Sequence, residues 1–495
     1  MITYKQLSVA DIFSNCQELY DYDKPQFLRL LEEHINLDEL VPSTFRHNFY
    51  AHTGRPRKYP LNAMLWALIL QRLLSIPTDA LLIVFLHYSR HMREFCGFDK
   101  VPDASKFTRF KQDFLGDLQT FFDHLVDVTE PICQEIDSDK ASMCIFDTTG
   151  IEAWVQENNP KYANSLIRSM KAWAKSKGLG DSFDPYKAAY GSMPTCAEAN
   201  SEVKQQYING HFCYAYKAGV VTNGLGVIRS LEFYDEEYHS AHPDIEREKK
   251  SDSPEEDKSV GDTRLLIPTL QDFFHKHPGI QPVTFLGDAA FDSTDIYKAL
   301  LSGDTFGTTP DGEGCHFLKA YIPLNSAHGS TKPDCPLNAD GIPCCPNDPS
   351  LAMKREGNTS HLRCGIPTMK FVCPKMKWEK GDDGKYHRTT HCENPCTDSK
   401  SGRMFYIYPE KNLRTYPGTL RGTDEWDSTY KIRTTVERSI NQIKDSFCLG
   451  NRKTRNQRTL HADLLLAGIT QLFTVVLANK IHQSQFIRSI KPLIA

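Results

Sequence analysis

The sequence predicts an α/β protein, with an all-helical N-terminal region followed by a sheet-containing body into which a cysteine-rich segment is inserted. Three observations carry that reading. Residues 1–138 set apolar side chains at helical spacing. Beyond residue 139, β-branched and aromatic runs alternate with amphipathic ones. Residues 325–425 are rich in Gly, Pro and Cys, with little periodicity. A chain of 495 residues has room for about three domains at roughly 150 residues each. Boundaries are expected at 1–138, 139–324, 325–425 and 426–495, the last segment returning to the body.

In the first region the periodicity predicts helices over Phe27–Leu40, Leu61–Leu74, Asp79–Tyr88 and Phe114–Ile136, separated by Pro60, Pro77 and Pro102. Strands are expected at Ser142–Val155 and His211–Tyr234, the second folding back at the hairpin signal Asn223-Gly224. Asp244–Lys258 reads as a charged, solvated loop. An amphipathic helix around Arg264–His277 and a strand at Pro282–Gly287 follow, and helices return at Ser428–Phe447 and Thr459–His482.

A composition of 40% hydrophobic and 24% charged residues excludes a mainly disordered chain. Lys and Arg number 58 against 62 Asp and Glu, a net charge of −4, so any nucleic-acid binding must come from local basic patches. One such patch is Val41–Thr78, which has no acidic residue but holds Arg46, Arg55, Arg57, Lys58 and Arg72. The most apolar stretches, Ala63–Leu70, Ala80–Leu86 and Leu464–Ala478, fall short of the roughly 18 residues of a membrane span, so no membrane partner is expected. The opening MITYKQLSVADIFSN lacks the basic start and apolar run of a secretory signal, and a cytoplasmic location is expected. In that setting the 15 cysteines read as thiols or metal ligands rather than disulfides, and seven of them lie between Cys335 and Cys396.

Three acidic residues stand out by context. Asp147 in CIFDTTG and Asp288 in VTFLGDAAFD each end an apolar strand, so both can point from one sheet edge into a shared cleft. Glu437 lies in the helical pattern YKIRTTVERSINQIK. At about 100° per residue Tyr430, Arg433, Glu437 and Lys444 line one strip, beside an apolar stripe of Val436, Ile440, Ile443 and Phe447. Carboxylates gathered in one pocket repel unless a divalent cation neutralises them. Hard oxygen ligands suit Mg²⁺ or Mn²⁺, and a pair of such ions suits phosphodiester chemistry.

The DTTG aspartate, the GDAAFD aspartate and the spacing Tyr430-x(2)-Arg433-x(3)-Glu437-x(6)-Lys444 resemble the DDE transposases of bacterial insertion sequences. The resemblance extends to GRPRKYPLNAMLWALILQRLLSIPTDALL, REFCGF and DASKFTRFKQDF, which look like the helical domain preceding the catalytic domain in many such enzymes, and to AYKAGVVTNGLGVIRSLEFY. It leaves out about residues 156–205 and parts of the cysteine-rich insertion, and Phe291 stands where the family often has Tyr. The resemblance implies a ribonuclease H-like catalytic domain over 139–324 and 426–495, a DNA-binding helical domain over 1–138, and a catalytic triad of Asp147, Asp288 and Glu437. It also implies double-stranded DNA as partner, at transposon ends and target, and a homodimer in the synaptic complex on nucleoid DNA.

Tyr430, Arg433 and Lys444 are expected to contact DNA phosphates, since residues 430–460 carry eight Lys or Arg against two acids. Arg452, Lys453 and Arg455 extend that basic run as far as Arg458, and solvated charge explains them equally well. Arg55, Arg57 and Lys58 could enter a minor groove as an arm or serve as a linker. Asp103–Phe114, with Lys106, Arg109 and Lys111, fits a helix-turn-helix recognition element or plain core packing. Cys364, Cys373, Cys392 and Cys396 form the candidate ligand set for a structural Zn²⁺, the alternative being reduced thiols. The reading is a metal-dependent DNA transposase. A nuclease of the same fold without strand transfer, or a non-catalytic DNA-binding regulator, is the alternative.

Overall fold

The computed structural model describes residues 25–50, 56–208, 211–246, 258–303, 305–307, 314–325, 336–356, 362–363, 366–409 and 412–494. Arg55 and Cys364 lie outside the described residues. The described residues begin with eight helices: α1 (Gln26–His34), α2 (Leu37–Leu40), α3 (Ser43–Phe49), α4 (Leu61–Leu73), α5 (Asp79–Tyr88), α6 (Arg90–Cys96), α7 (Ala104–Asp113) and α8 (Leu115–Ile136). The expected helix Phe27–Leu40 is two, because Ile35 turns extended and the Asn36 side chain accepts the Asp38 N–H to cap α2. Side-chain caps also start α5 (Thr78), α6 (Ser89) and α7 (Asp103), which leaves few orphan N–H groups in this region.

After the short α9 (Ser138–Ala141), β1 (Met143–Glu152) enters the middle of a seven-stranded mixed sheet. The helical pair α10 (Pro160–Lys177) and α11 (Pro185–Gly191) fills the stretch that the resemblance left out, and the short β2 (Cys196–Ala197) follows. β3 (Asn200–Ile208) and β5 (Ile228–Phe233) pair with successive halves of β4 (His211–Thr222), which itself runs antiparallel to β1 with Asp147 opposite Val220. On the other side β6 (Thr284–Leu286) is parallel to β1, and β7 (Lys319–Tyr321) is parallel to β6. The hairpin forms where Asn223-Gly224 predicted it, and the Asn223 side chain accepts the N–H groups of Leu225 and Val227.

α12 (Glu236–Ala241), α13 (Asp262–Lys276) and α14 (Thr294–Leu301) alternate with the later strands. Between β7 and α15 (Asp424–Tyr430) the described residues form small two- and three-stranded sheets, among them Lys354–Glu356, Met369–Val372 and Met404–Ile407. α15 runs through a 3₁₀ turn, Lys431–Arg433, into α16 (Thr434–Asn441) and then a π turn, Gln442–Ser446. α17 (Gln457–Lys480) closes the body. By length and composition α17 could cross a membrane, contrary to the count made on its apolar stretch. Yet 94% of its most apolar 18-residue window is buried inside the protein, where it packs on α8, α4, α7 and β5. One apolar core therefore runs from α1 through α4 and α8 to α17 and the sheet.

Candidate active site

Asp147 leaves the middle of β1, Asp288 follows β6, and Glu437 sits in the first turn of α16. The parallel β1–β6 register, Ile145 opposite Leu286, puts the two aspartates level with each other, each two residues past the paired segment. The Thr148 N–H donates to Asp147 Oδ1 at 2.8 Å, and the Ala289 N–H donates to Asp288 Oδ1 at 2.5 Å, so Asp288 also caps the turn after its strand. A Cβ added at Gly150 of the DTTG motif would meet the ends of the Ile208 and Gln206 side chains of β3, which would have to shift aside.

The three carboxylates meet around one cation. Arg433 Nη1 lies 2.7 Å from Glu437 Oε1 and 3.8 Å from Asp147 Oδ2, while its Nη2 lies 3.4 Å from Asp288 Oδ2. Tyr430 stacks on Trp426 and lies near Arg433, whose charge it favours. Burial lifts the Asp147 carboxyl to about 6 against the pull of Arg433. Burial also holds the Lys444 ammonium below its ordinary value. Lys444 lines one cleft of about 420 Å³ with Asp147, Glu437 and Asn441.

That cleft also holds two charged residues to which the sequence reading gave no role. Lys217 of β4 and Asp262 at the start of α13 form an ion pair of 2.5 Å beside Thr148. Each sits in ordinary strand or helix-start sequence. Only the register of Lys217 opposite Gly150 brings them to the DTTG segment.

The other candidates divide. Arg57 donates to the Phe49 carbonyl and lies over the Phe49 and Phe114 rings, and Lys58 lies over Tyr59. Both line a cleft with Lys106 and Arg109 of α7. Lys111 does not join them. It is 1% exposed and paired with Asp79 and Asp463, so it serves the core rather than a groove. Arg452, expected on a DNA-facing run, is likewise buried, donating to the Pro77 carbonyl and facing Asp79 and Asp463. Lys453 and Arg455 are exposed around Trp154, the first over its ring and the second on its carbonyl.

Cys373, Cys392 and Cys396 line one cleft, and the fourth cysteine there is Cys345. Among the described residues no group of three or more His, Cys, Asp or Glu side chains stands close enough together to hold a metal ion.

Residues 17–113 match the family model described as a transposase domain (DUF772). The match covers the N-terminal helical region as far as α7 and ends before the sheet. No curated protein matches the chain.

Proposed function

We propose that the protein is a DDE-type DNA transposase with a ribonuclease H-like catalytic body, cutting at transposon ends and joining them to target DNA. The observation that carries this is the convergence of Asp147, Asp288 and Glu437, from two strands and a helix, on a single cation, the Arg433 guanidinium. The sheet supports it: β6 and β7 run parallel to β1 on one side, β4 runs antiparallel to β1 on the other, β3 and β5 pair antiparallel with β4, and α16 packs on β1 and β4. The transposase domain at residues 17–113 supplies DNA as the substrate class.

The chemistry of three carboxylates suits a hard divalent cation, but spread around Arg433 they do not stand close enough together to share an ion, so binding would draw them inward and displace the guanidinium. Asp147, Asp288 and Glu437 would hold Mg²⁺ or Mn²⁺, which when bound supplies neutralisation of charge at phosphorus and activation of a water or 3′-hydroxyl. Arg433 and Lys444, on the helix that carries Glu437, hold DNA phosphates beside the carboxylates. Tyr430 orients Arg433. Two protomers on two transposon ends complete the proposed synaptic complex. In the cysteine-rich segment a structural Zn²⁺ is proposed on the cysteine cleft, where thiolates would be drawn inward on binding.

The test is cleavage of a plasmid carrying the gene's own flanking DNA, in Mg²⁺ or Mn²⁺, scored for both cut and joined products. Asp147→Ala, Asp288→Ala and Glu437→Ala should each abolish cutting and leave DNA binding intact. Near wild-type cutting by any one of them sinks the triad. Cutting without joined products favours the nuclease alternative.

A further inference from the structure

We propose that Asp262 is a fourth acidic residue of this cleft, a positioning residue that holds the Lys217 ammonium away from Asp147. The inference rests on the transposase reading above. Lys217 belongs to β4, next to β1, and its side chain is 10% exposed. Its ammonium has three hydrogens and three acceptors: Asp262 Oδ1 at 2.5 Å, the Val260 carbonyl at 2.7 Å and Ser259 Oγ at 3.2 Å. All three acceptors lie in the turn that starts α13, so one short segment fixes the cation.

Thr148 links this pair to the candidate triad. Its hydroxyl donates to Asp262 Oδ1 at 2.8 Å, and its backbone N–H donates to Asp147 Oδ1 at 2.8 Å. Lys217, Asp262, Thr148, Asp147 and Glu437 line the same cleft. Without Asp262, the carboxylates left for the nearly buried Lys217 ammonium to face are Asp147 and Glu437 across this cleft and Glu202, Asp235 and Glu236 across the neighbouring one. A lysine turned onto Asp147 would occupy the charge that a divalent cation needs. Asp262 removes that competitor while adding its own negative field to the cleft. Partners one step behind metal-holding groups typically change metal affinity by about 10–100-fold when removed.

The experiment measures the Mn²⁺ concentration giving half-maximal plasmid cutting for the wild type, Asp262→Asn, Lys217→Met and the double variant. Thermal melting and DNA affinity are measured alongside. Asp262→Asn should raise the Mn²⁺ requirement about tenfold with unchanged DNA affinity. Adding Lys217→Met should bring it most of the way back, a rescue that a merely structural Asp262 would not show. Calorimetric titration of Mn²⁺ into the DNA-free proteins should give the same order. Should Asp262→Asn melt without cooperativity, Lys217→Met alone decides: a requirement at or below wild type is expected, and a large increase overturns the inference. An unchanged requirement in Asp262→Asn, or a double variant no better than the single one, also overturns it. If Asp147→Ala itself still cuts, the transposase reading fails instead, and the two failures are told apart.

Discussion

Arg433 touches three carboxylates with a side chain only 14% exposed, and the price falls on Asp147, the most enclosed of the three. Burial lifts the Asp147 carboxyl to about 6 from its ordinary value of 3.8, despite Arg433. The folded, metal-free protein therefore binds this proton more tightly than the unfolded chain does. Ionised Asp147 opposes folding above about pH 6, and the penalty disappears as pH falls toward 4. At about 1.4 kcal/mol per unit, Asp147→Asn should stabilise the protein in chelator by about 1–3 kcal/mol at pH 8, with little gain at pH 4. Denaturant unfolding at the two pH values checks this, and equal gains at both would refute the charge argument. Asp147, Asp288 and Glu437 were legible in the sequence because each stands in a short motif with strand or helix context. Lys217 and Asp262 were not, since their meeting depends on strand register. Arg452 was misread, and for Lys111 the choice between recognition helix and core packing stayed open, because burial among Asp79 and Asp463 is a tertiary fact.

At the scale of elements, the segment expected as one helix over Ser428–Phe447 changes pitch three times, from α to 3₁₀ to α to π. A 3₁₀ turn winds more tightly than α and a π turn more loosely, so the two departures act in opposite senses. Lys444 consequently still reaches the cleft of Asp147 and Glu437, although uniform helical arithmetic does not describe the path. The apolar stripe was legible outright: Val436, Ile440, Ile443 and Phe447 are all buried. The cysteine-rich segment shows the opposite case. Its spacing suggested pairs, but which thiols share a cleft depends on how small sheets stack, and Cys345 arrives from a separate strand, Cys344–Cys345. The small core of Met353, Met369, Phe371 and Ile407 buries little surface there. Purified protein should contain about one equivalent of zinc, and Cys345→Ser should lose it as fully as Cys373→Ser does. Zinc below about a tenth of an equivalent, with normal melting, would leave these residues as plain thiols.

At the scale of the whole molecule, the N-terminal helices and the body are joined by charge as well as by apolar packing. Arg72 of α4, Lys111 of α7 and Arg452 before α17 surround Asp463 of α17, and Lys111 and Arg452 also meet Asp79 of α5. Although burial works against its charge, Asp463 is held well below the usual carboxylate range by Lys111, Arg452 and Arg72. Asp463→Asn would leave those cations facing Asp79 alone, and should cost about 3–5 kcal/mol in unfolding experiments at neutral pH. A loss under about 1 kcal/mol would mean that water or relaxation repairs the site.

The same cohesion bears on DNA. Under the proposed function, a chain of net charge −4 would hold a duplex through local patches, and the burial of Lys111 and Arg452 narrows the choice. The cleft holding Lys58, Lys106 and Arg109 lies in the segment that matches a transposase domain. Arg57 lines it too, but its stacking on Phe49 and Phe114 ties it to packing, so it is the wrong residue to neutralise first. Each phosphate contact contributes about 0.9 to the slope of log affinity against log salt. Replacing Lys58, Lys106 and Arg109 together with Gln should flatten that slope by up to about 2.7 for duplex DNA from the element's ends, while melting stays as in the wild type. A slope unchanged by the triple replacement would take this cleft out of the interface and leave Lys453 and Arg455, around Trp154, as the patch to test next.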